Sequence, residues 1–462
     1  MVQALNFIGL NVVLDVVYNH LHANGPHDKD SVLDKIVPGY DLRRNNDGFI
    51  ENSTCVNNTA SEHYMVDRLI RDDLLNWVVN YKVDGFRFDL MGHIMKDTME
   101  TNGVDGSRIY IYGEGWNFGE VANNGRGVNA SQFSLSGTGI GSFNDRTRDA
   151  TLGGSIWSSS STRIRYRFIV TYNKIAYTFF HTNNKHHITC YIAHVSVSNL
   201  GVEPLKFPYH QNIVYLLRIG MAANLKDYVL TNHEGKDVKG SEILMHDATP
   251  FAYASQPTET INYVSAHDNE TFFDIISLKT PMKISVDERC RINHLASSMI
   301  ALSQGIPFFH AGDEILHSKS LDRDSYNSGD WFNRLDFSYK SNNWGVGLPP
   351  KGKNKYSWPL PILQTSKQSY SCHAQQFLRL VMHQILIASL PFRFSKGNPV
   401  PDTIVMSIED GHKGIPSVSQ IDPVYFNSNN SNSFVVVIFN ARPSEFSFLS
   451  PSLKNRNLEL HP

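Results

Sequence analysis

Two hydrophobic periods alternate along the chain. Asn11–Val17 is a continuous apolar, β-branched run ending in Tyr18-Asn19-His20, which predicts a buried strand. Ser61 to Val83 follows the helical period instead, with Leu69, Ile70, Leu74, Trp77 and Val78 expected on one face. Gly85-Phe-Arg-Phe-Asp89 then reads as a strand, and Arg108–Tyr112 as another that stops at Gly113-Glu114. The same style returns at Ile261–Ser265, followed by Ala266-His267-Asp268-Asn269. Ser285-Val-Asp-Glu288 has the form of a capping box. The helix it opens carries Ile292, Leu295, Ala296, Met299 and Ile300 on one face. Gly305 ends that helix and Ile306–Phe309 forms the next strand. Strand, helix, strand, helix is the pattern of a parallel α/β architecture. Near the end, Ser433–Asn440 alternates as in a small antiparallel β domain.

Two stretches break the pattern. Ser155–Arg218 has one acidic residue, Glu203, against seven Lys or Arg, and no clean period. Phe337–Pro401 has no acidic residue. Each is read either as a basic surface insertion or as wrongly joined sequence.

Composition narrows the class. With 462 residues, 41% hydrophobic and 19% charged, the chain can bury a large core in two or three domains. A net charge of −2 offers no electrostatic footprint for nucleic acid or an anionic membrane. No run of about 18 apolar residues predicts a membrane span. The first residues, MVQALNF, start inside a helix-like segment without a basic region or a small-residue cleavage site, unlike a signal peptide. Cys55, Cys190, Cys290 and Cys372 are far apart and read as reduced thiols of an intracellular protein. Sequons occur at Asn52, Asn57, Asn129, Asn269 and Asn429; chance accounts for them in an Asn- and Ser-rich chain.

Four strand ends carry the candidate chemistry: Asp15-Val-Val-Tyr-Asn-His20, Gly85–Asp89, Ile111-Tyr-Gly-Glu114 and Val264-Ser-Ala-His-Asp268. In a parallel barrel all such ends open on one face, where catalytic residues gather. Asp89, Glu114 and Asp268 would converge there. Two carboxylates about 5–6 Å apart can cleave a glycosidic bond with retention, one as nucleophile and one as acid. Arg87, two residues before Asp89, shares its side of the strand and would keep it anionic. Trp116 and Tyr112 are expected to give Glu114 apolar surroundings, raising its pKa as an acid requires. Taken singly, His20 and His267 read as structural hydrogen-bond partners, and Trp116, Phe118, Trp331 and Trp344 as core. On these residues alone, a metal hydrolase using the same Asp, His and Glu side chains stays open.

DVVYNH, DGFRFDLMGH, YGEGW and VSAHDNE resemble the four ordered signature regions of the α-amylase superfamily, glycoside hydrolase family 13. Asp84–His93, Gly113–Gly127 and Ser320–Phe337 further resemble the plant limit dextrinases, the plant-type pullulanases. The resemblance covers Met1–Gly154 and Ile219–Pro350, and more loosely Thr403–Pro462. It implies a (β/α)8 TIM barrel of the α-amylase type without its first two strands, plus a partial C-terminal antiparallel β domain. Barrel strands three to six would fall in 1–154 and strands seven and eight in 219–350. Residues 155–218 and 351–402 would be atypical segments, and 403–462 the C-terminal domain.

The resemblance implies retaining hydrolysis of α-1,6 branch links in pullulan, amylopectin and limit dextrins, an α-glucan partner, and a plastid location. Asp89 matches the nucleophile, Glu114 the acid/base and Asp268 the third carboxylate. Arg87, His20 and His267 match sugar-contacting positions; His93, Trp116, Asp330 and Arg334 match groove positions. Asp15 matches a structural carboxylate paired with Arg87. No cofactor is required, although relatives hold a structural calcium whose ligands this sequence does not identify. The alternatives are an inactive fragment or wrong gene product of such an enzyme, and an α-1,4-acting relative.

Overall fold

The computed structural model describes residues 1–25, 27–100, 109–152, 176–183, 187–190, 216–232, 234–245, 248–280, 286–347, 349–350, 392–394, 403–409, 434–440 and 459–460. Ser285 of the expected capping box, most of 155–218 and most of 351–402 lie outside them. The chain forms two compact units, one of residues 1–143 and 253–261, the other of 144–252 and 262–462.

The first unit is built on parallel strands β1 (Val13–Val16), β2 (Gly85–Phe88), β3 (Tyr110–Gly113) and β4 (Gly141–Phe143). Thr260 and Ile261, at the start of a later strand, pair with β4 in the same sense. Asp15 is the Cα partner of Arg87, and Phe88 that of Gly113. This register brings the next residues, Asp89 and Glu114, to the same C-terminal edge. A parallel sheet buried on both faces selects apolar runs, and β2 is buried along its whole length.

The helix Tyr64–Tyr81 follows β1 and covers the sheet with Val66, Ile70 and Leu74, which are buried. They pack with Phe86, Phe88, Met91, Ile94 and Ile111. Leu69, expected on that face, is 47% exposed. Apolar residues surround more than half of this helix, so periodicity alone does not fix which arc faces inward.

The second unit has its own core. The helix Val286–Ala301 buries Ile292, Leu295, Ala296, Met299 and Ile300, as its period predicts. They cluster with Phe272, Ile275 and Ile276 of the helix Phe272–Lys279. Continuing the strand numbering, this unit holds β5 (Ala176–Asn183), β6 (His187–Cys190) and the hairpin β7 (Val229–Thr231) and β8 (Asp237–Lys239). After β9 (Thr260–Asn262) and β10 (Ile306–Pro307) come β11 (Phe392–Phe394), β12 (Thr403–Glu409), β13 (Phe434–Asn440) and β14 (Glu459–Leu460). An antiparallel sheet runs in the order β11-β12-β13-β5-β14, with β6 against β5. Ile404, Met406, Val437 and Phe439 join the helical core. Cys55 is exposed and Cys290 is buried.

Candidate active site

In the first unit, register and strand direction gather Asp15, Arg87, Asp89, Glu114 and His20. Arg87 is buried, and its guanidinium donates to Asp15 Oδ1 at 2.9 Å and to Asp89 Oδ1 at 3.4 Å. Its other terminal nitrogen is paired with Glu114 Oε1. The Phe143 ring lies under the guanidinium, 5.7 Å to the centroid. Burial opposes the arginine's charge, but Glu114 and Asp15 outweigh it and raise its pKa above the ordinary range. Glu114 is buried beside Arg87.

The backbone after β2 also serves this cluster. Leu90 has φ 39°, in the left-handed region that a branched side chain rarely adopts. The sharp turn aims the Leu90 N–H at Glu114 Oε2, 3.3 Å away. The Gly92 N–H donates to the Glu114 carbonyl at 2.9 Å. A Cβ on Gly92 would collide with the Trp116 carbonyl oxygen, so this close approach needs glycine.

Asn19 was not singled out from sequence, yet it is fully buried and donates from Nδ2 to Asp89 Oδ2 and to the Asp89 carbonyl, both at 2.8 Å. Its Oδ1 lies 2.6 Å from His20 Nδ1. One amide therefore fixes both Asp89 and His20. Burial lowers the His20 pKa, against the Asp89 carboxylate, which raises it. The only signal for Asn19 was its place beside His20 at a strand end.

His93 is placed differently from the groove contact expected of it. It is fully buried, 4.5 Å from the Phe118 ring, with Nε2 2.9 Å from Ser53 Oγ. Burial lowers its pKa to about 4. Such a ring supports the loop rather than touching sugar. It belongs to a network centred on buried Arg43, which donates to Glu62 Oε2 at 2.7 Å, Glu120 Oε1 at 2.9 Å and the His93 carbonyl at 3.2 Å. Ser53 and Asn58 also donate to Glu120.

Burial raises the Glu120 pKa, but these donors outweigh it and hold the carboxyl at about 2. A depressed carboxylate stabilises the fold above its unfolded pKa and loses that contribution as pH falls through the folded value. The Glu120 share is therefore expected to vanish between about pH 4.5 and about pH 2. Glu120→Gln, which leaves Arg43 under-neutralised, is expected to cost about 3 kcal/mol at neutral pH and to flatten that acid limb. Urea midpoints across this range measure both; equal midpoints for variant and parent at pH 7 would refute it.

Trp116 is half-buried, and Trp331, expected in the core, is 58% exposed. Trp344 packs edge-on to Phe273, with centroids 5.8 Å apart.

The second unit carries His267, Asp268, Asp330 and Arg334. His267 and Asp268 are exposed neighbours, Nε2 to Oδ1 3.7 Å. Asp330 and Arg334 are exposed on a segment held by Asn343, which donates to the carbonyls of Trp331 and Phe332 at 2.7 and 3.0 Å. Among the described residues no group of three or more His, Cys, Asp or Glu is placed to hold a metal ion. Nor is any helix there long and apolar enough to cross a membrane.

Comparison with known proteins gives this arrangement its relatives. Residues 339–462 match the model for "Alpha-1,6-glucosidases, pullulanase-type, C-terminal". The whole chain is 66% identical to a protein of Arabidopsis thaliana, Pullulanase 1, chloroplastic, of which it covers 48%. The chain is similar to a pullulanase along its whole length. A pullulanase of Klebsiella aerogenes is 41% identical over 76% of the chain and 30% of its own length. The crystal structure of apo pullulanase from Klebsiella pneumoniae superposes with a TM-score of 0.80 at 34% identity, covering 96% of this chain and 46% of that one. The chain thus spans less than half of each of these three pullulanases.

Proposed function

We propose that this chain hydrolyses α-1,6-glucosidic branch links in pullulan, amylopectin and limit dextrins, with retention of configuration. The observation that carries the reading is the contact of Asp89 and Glu114 with one guanidinium at adjacent strand ends. Two carboxyls sharing one guanidinium supports the short separation of retaining enzymes rather than the wider gap that admits a water. Asp89 attacks the anomeric carbon as the C–O bond to the leaving 6-oxygen breaks, and Glu114 gives that oxygen its proton. Water, deprotonated by Glu114, then releases the sugar from Asp89. Arg87 and Asn19 hold the nucleophile ionised and oriented.

Asp268 takes the third-carboxylate role on the strength of its motif, with His20 and His267 as sugar contacts and Trp116, Asp330 and Arg334 as groove residues. The parallel strands of the first unit fit an α-amylase-type barrel without its first two strands, and β11 to β14 fit a partial C-terminal domain. The chloroplastic name of the Arabidopsis relative supports a plastid location.

The test is reducing-end release by the soluble chain from pullulan and from linear amylose. Maltotriose from pullulan with none from amylose is expected, because only pullulan offers a 6-oxygen leaving group. Product from amylose alone would overturn the linkage, and no product from either would overturn the activity.

A further inference from the structure

Lys319 lies in the stretch Ser318-Lys-Ser-Leu-Asp-Arg-Asp324, which reads as a charged surface loop. The structure buries it: Lys319 is 1% exposed. Its Nζ donates to the His267 carbonyl at 2.6 Å, in the turn that presents Asp268. Its backbone N–H donates to Asp274 Oδ2 at 2.8 Å, and Ser318 Oγ donates to Asp274 Oδ1 at 2.5 Å. Asp274 is fully buried in the first turn of the helix Phe272–Lys279, which Thr271 caps. Ser318 N–H bonds the Asn342 carbonyl at 2.8 Å, and Ser320 Oγ accepts from Val346 N–H at 3.0 Å, so both flanks of the lysine are fixed.

A buried ammonium is an expensive way to hold a turn. Burial lowers the Lys319 pKa, and the carboxylates of Asp274, Asp268, Asp322 and Glu270 counter it. Replacing the lysine alone by an apolar side chain would leave the fully buried Asp274 carboxylate without the lysine's charge. His310 and His317 face the same cluster, with rings 6.0 Å apart, and burial holds both neutral at pH 7, with pKa values of about 3 and about 4. They add no charge there that could replace the lysine's. Asp268, by contrast, is largely exposed.

We propose that Lys319 is a positioning residue for Asp268, gripping the His267 carbonyl from inside the fold so that the exposed carboxylate is held ready for sugar. This rests on the third-carboxylate reading of Asp268, and it deepens that reading by naming what holds the group. The charge and the donor both matter, so Lys319→Gln, which keeps a donor without charge, and Lys319→Met, which keeps neither, separate the two contributions.

The experiment measures backbone hydrogen exchange across residues 264–269, and kcat and KM on pullulan between pH 4 and 8, in the full chain. Lys319→Met is expected to speed exchange in that turn about tenfold and lower kcat about 10²-fold, with KM changed less than about threefold. Its acid limb should move to higher pH, and Lys319→Arg should restore much of both effects. Unchanged exchange overturns the proposal. Faster exchange with kcat, KM and pH profile unchanged also overturns it, leaving Lys319 a stabilising residue only. If Lys319→Met does not fold, Lys319→Gln, which keeps a donor, is expected to show the same effects in smaller measure, and unchanged exchange and kcat in it overturn the proposal. A parent chain that cleaves no pullulan defeats the debranching reading, and exchange in the turn then decides the lysine's hold by itself.

Discussion

Asp89→Asn is expected to abolish maltotriose release from pullulan, lowering kcat by more than about 10⁴-fold. The amide cannot attack the anomeric carbon, and no neighbouring carboxylate is placed to replace it, because Glu114 is committed to the leaving group. The fold should tolerate the change. Asp89 is only partly buried, and its backbone bonds, the N–H to the Val16 carbonyl and the carbonyl to Asn19 Nδ2, remain. A urea midpoint close to the parent's would accompany the lost activity. Retained activity above about 1% of the parent's would remove Asp89 from the nucleophile's place. Glu114→Gln differs in kind: kcat should fall steeply on pullulan but far less on a substrate whose leaving group needs no proton, such as an aryl or fluoride glycoside. Rates on the two substrates falling in parallel would show that Glu114 does not act as the acid.

What could be read from sequence follows a physical division. Strand β2 was legible because Gly85-Phe-Arg-Phe joins a flexible start to an apolar run and ends on an acid. Strand β4 was not: Gly141-Ser-Phe143 has no β-branched run, and its place is set by neighbours. A Cβ at Gly141 would meet the Tyr110 hydroxyl and the Tyr112 Cβ, which is a fact about β3 and not about local propensity. The candidate carboxylates were legible because a polar residue after an apolar strand is a local pattern. The groups that hold them were not.

Asn19 reaches Asp89 across 70 residues of sequence, and Arg43 reaches Glu120 across 77. Lys319 and Arg43 look like surface charges in polar loops, and only their burial among carboxylates and carbonyls shows otherwise. Trp331 errs in the opposite sense, since an aromatic beside Phe332 reads as core but stands in solvent. Burial of a polar side chain depends on which distant partners pay its desolvation, and period-based reading carries no information about partners.

Arg87 should prove sensitive in both stability and rate, because it faces three carboxylates at once. Removing it with Arg87→Ala leaves Asp15, Asp89 and Glu114 mutually repelling, two of them shielded from water. Breaking such a buried pair costs about 3–5 kcal/mol, and this site breaks more than one. The variant is therefore expected to lose several kcal/mol in urea unfolding and at least about 10³-fold in kcat.

Arg87→Lys is the sharper test, since it keeps the charge. An ammonium is a point donor and cannot span Asp15 on one side and Glu114 on the other as the planar fork does. Stability should recover in large part, while kcat stays depressed, because the orientation of Asp89 relative to Glu114 is lost. If Arg87→Lys recovered activity as fully as stability, the guanidinium would be supplying charge alone. The alignment of the two carboxylates would then rest on Asn19 and the Leu90 turn.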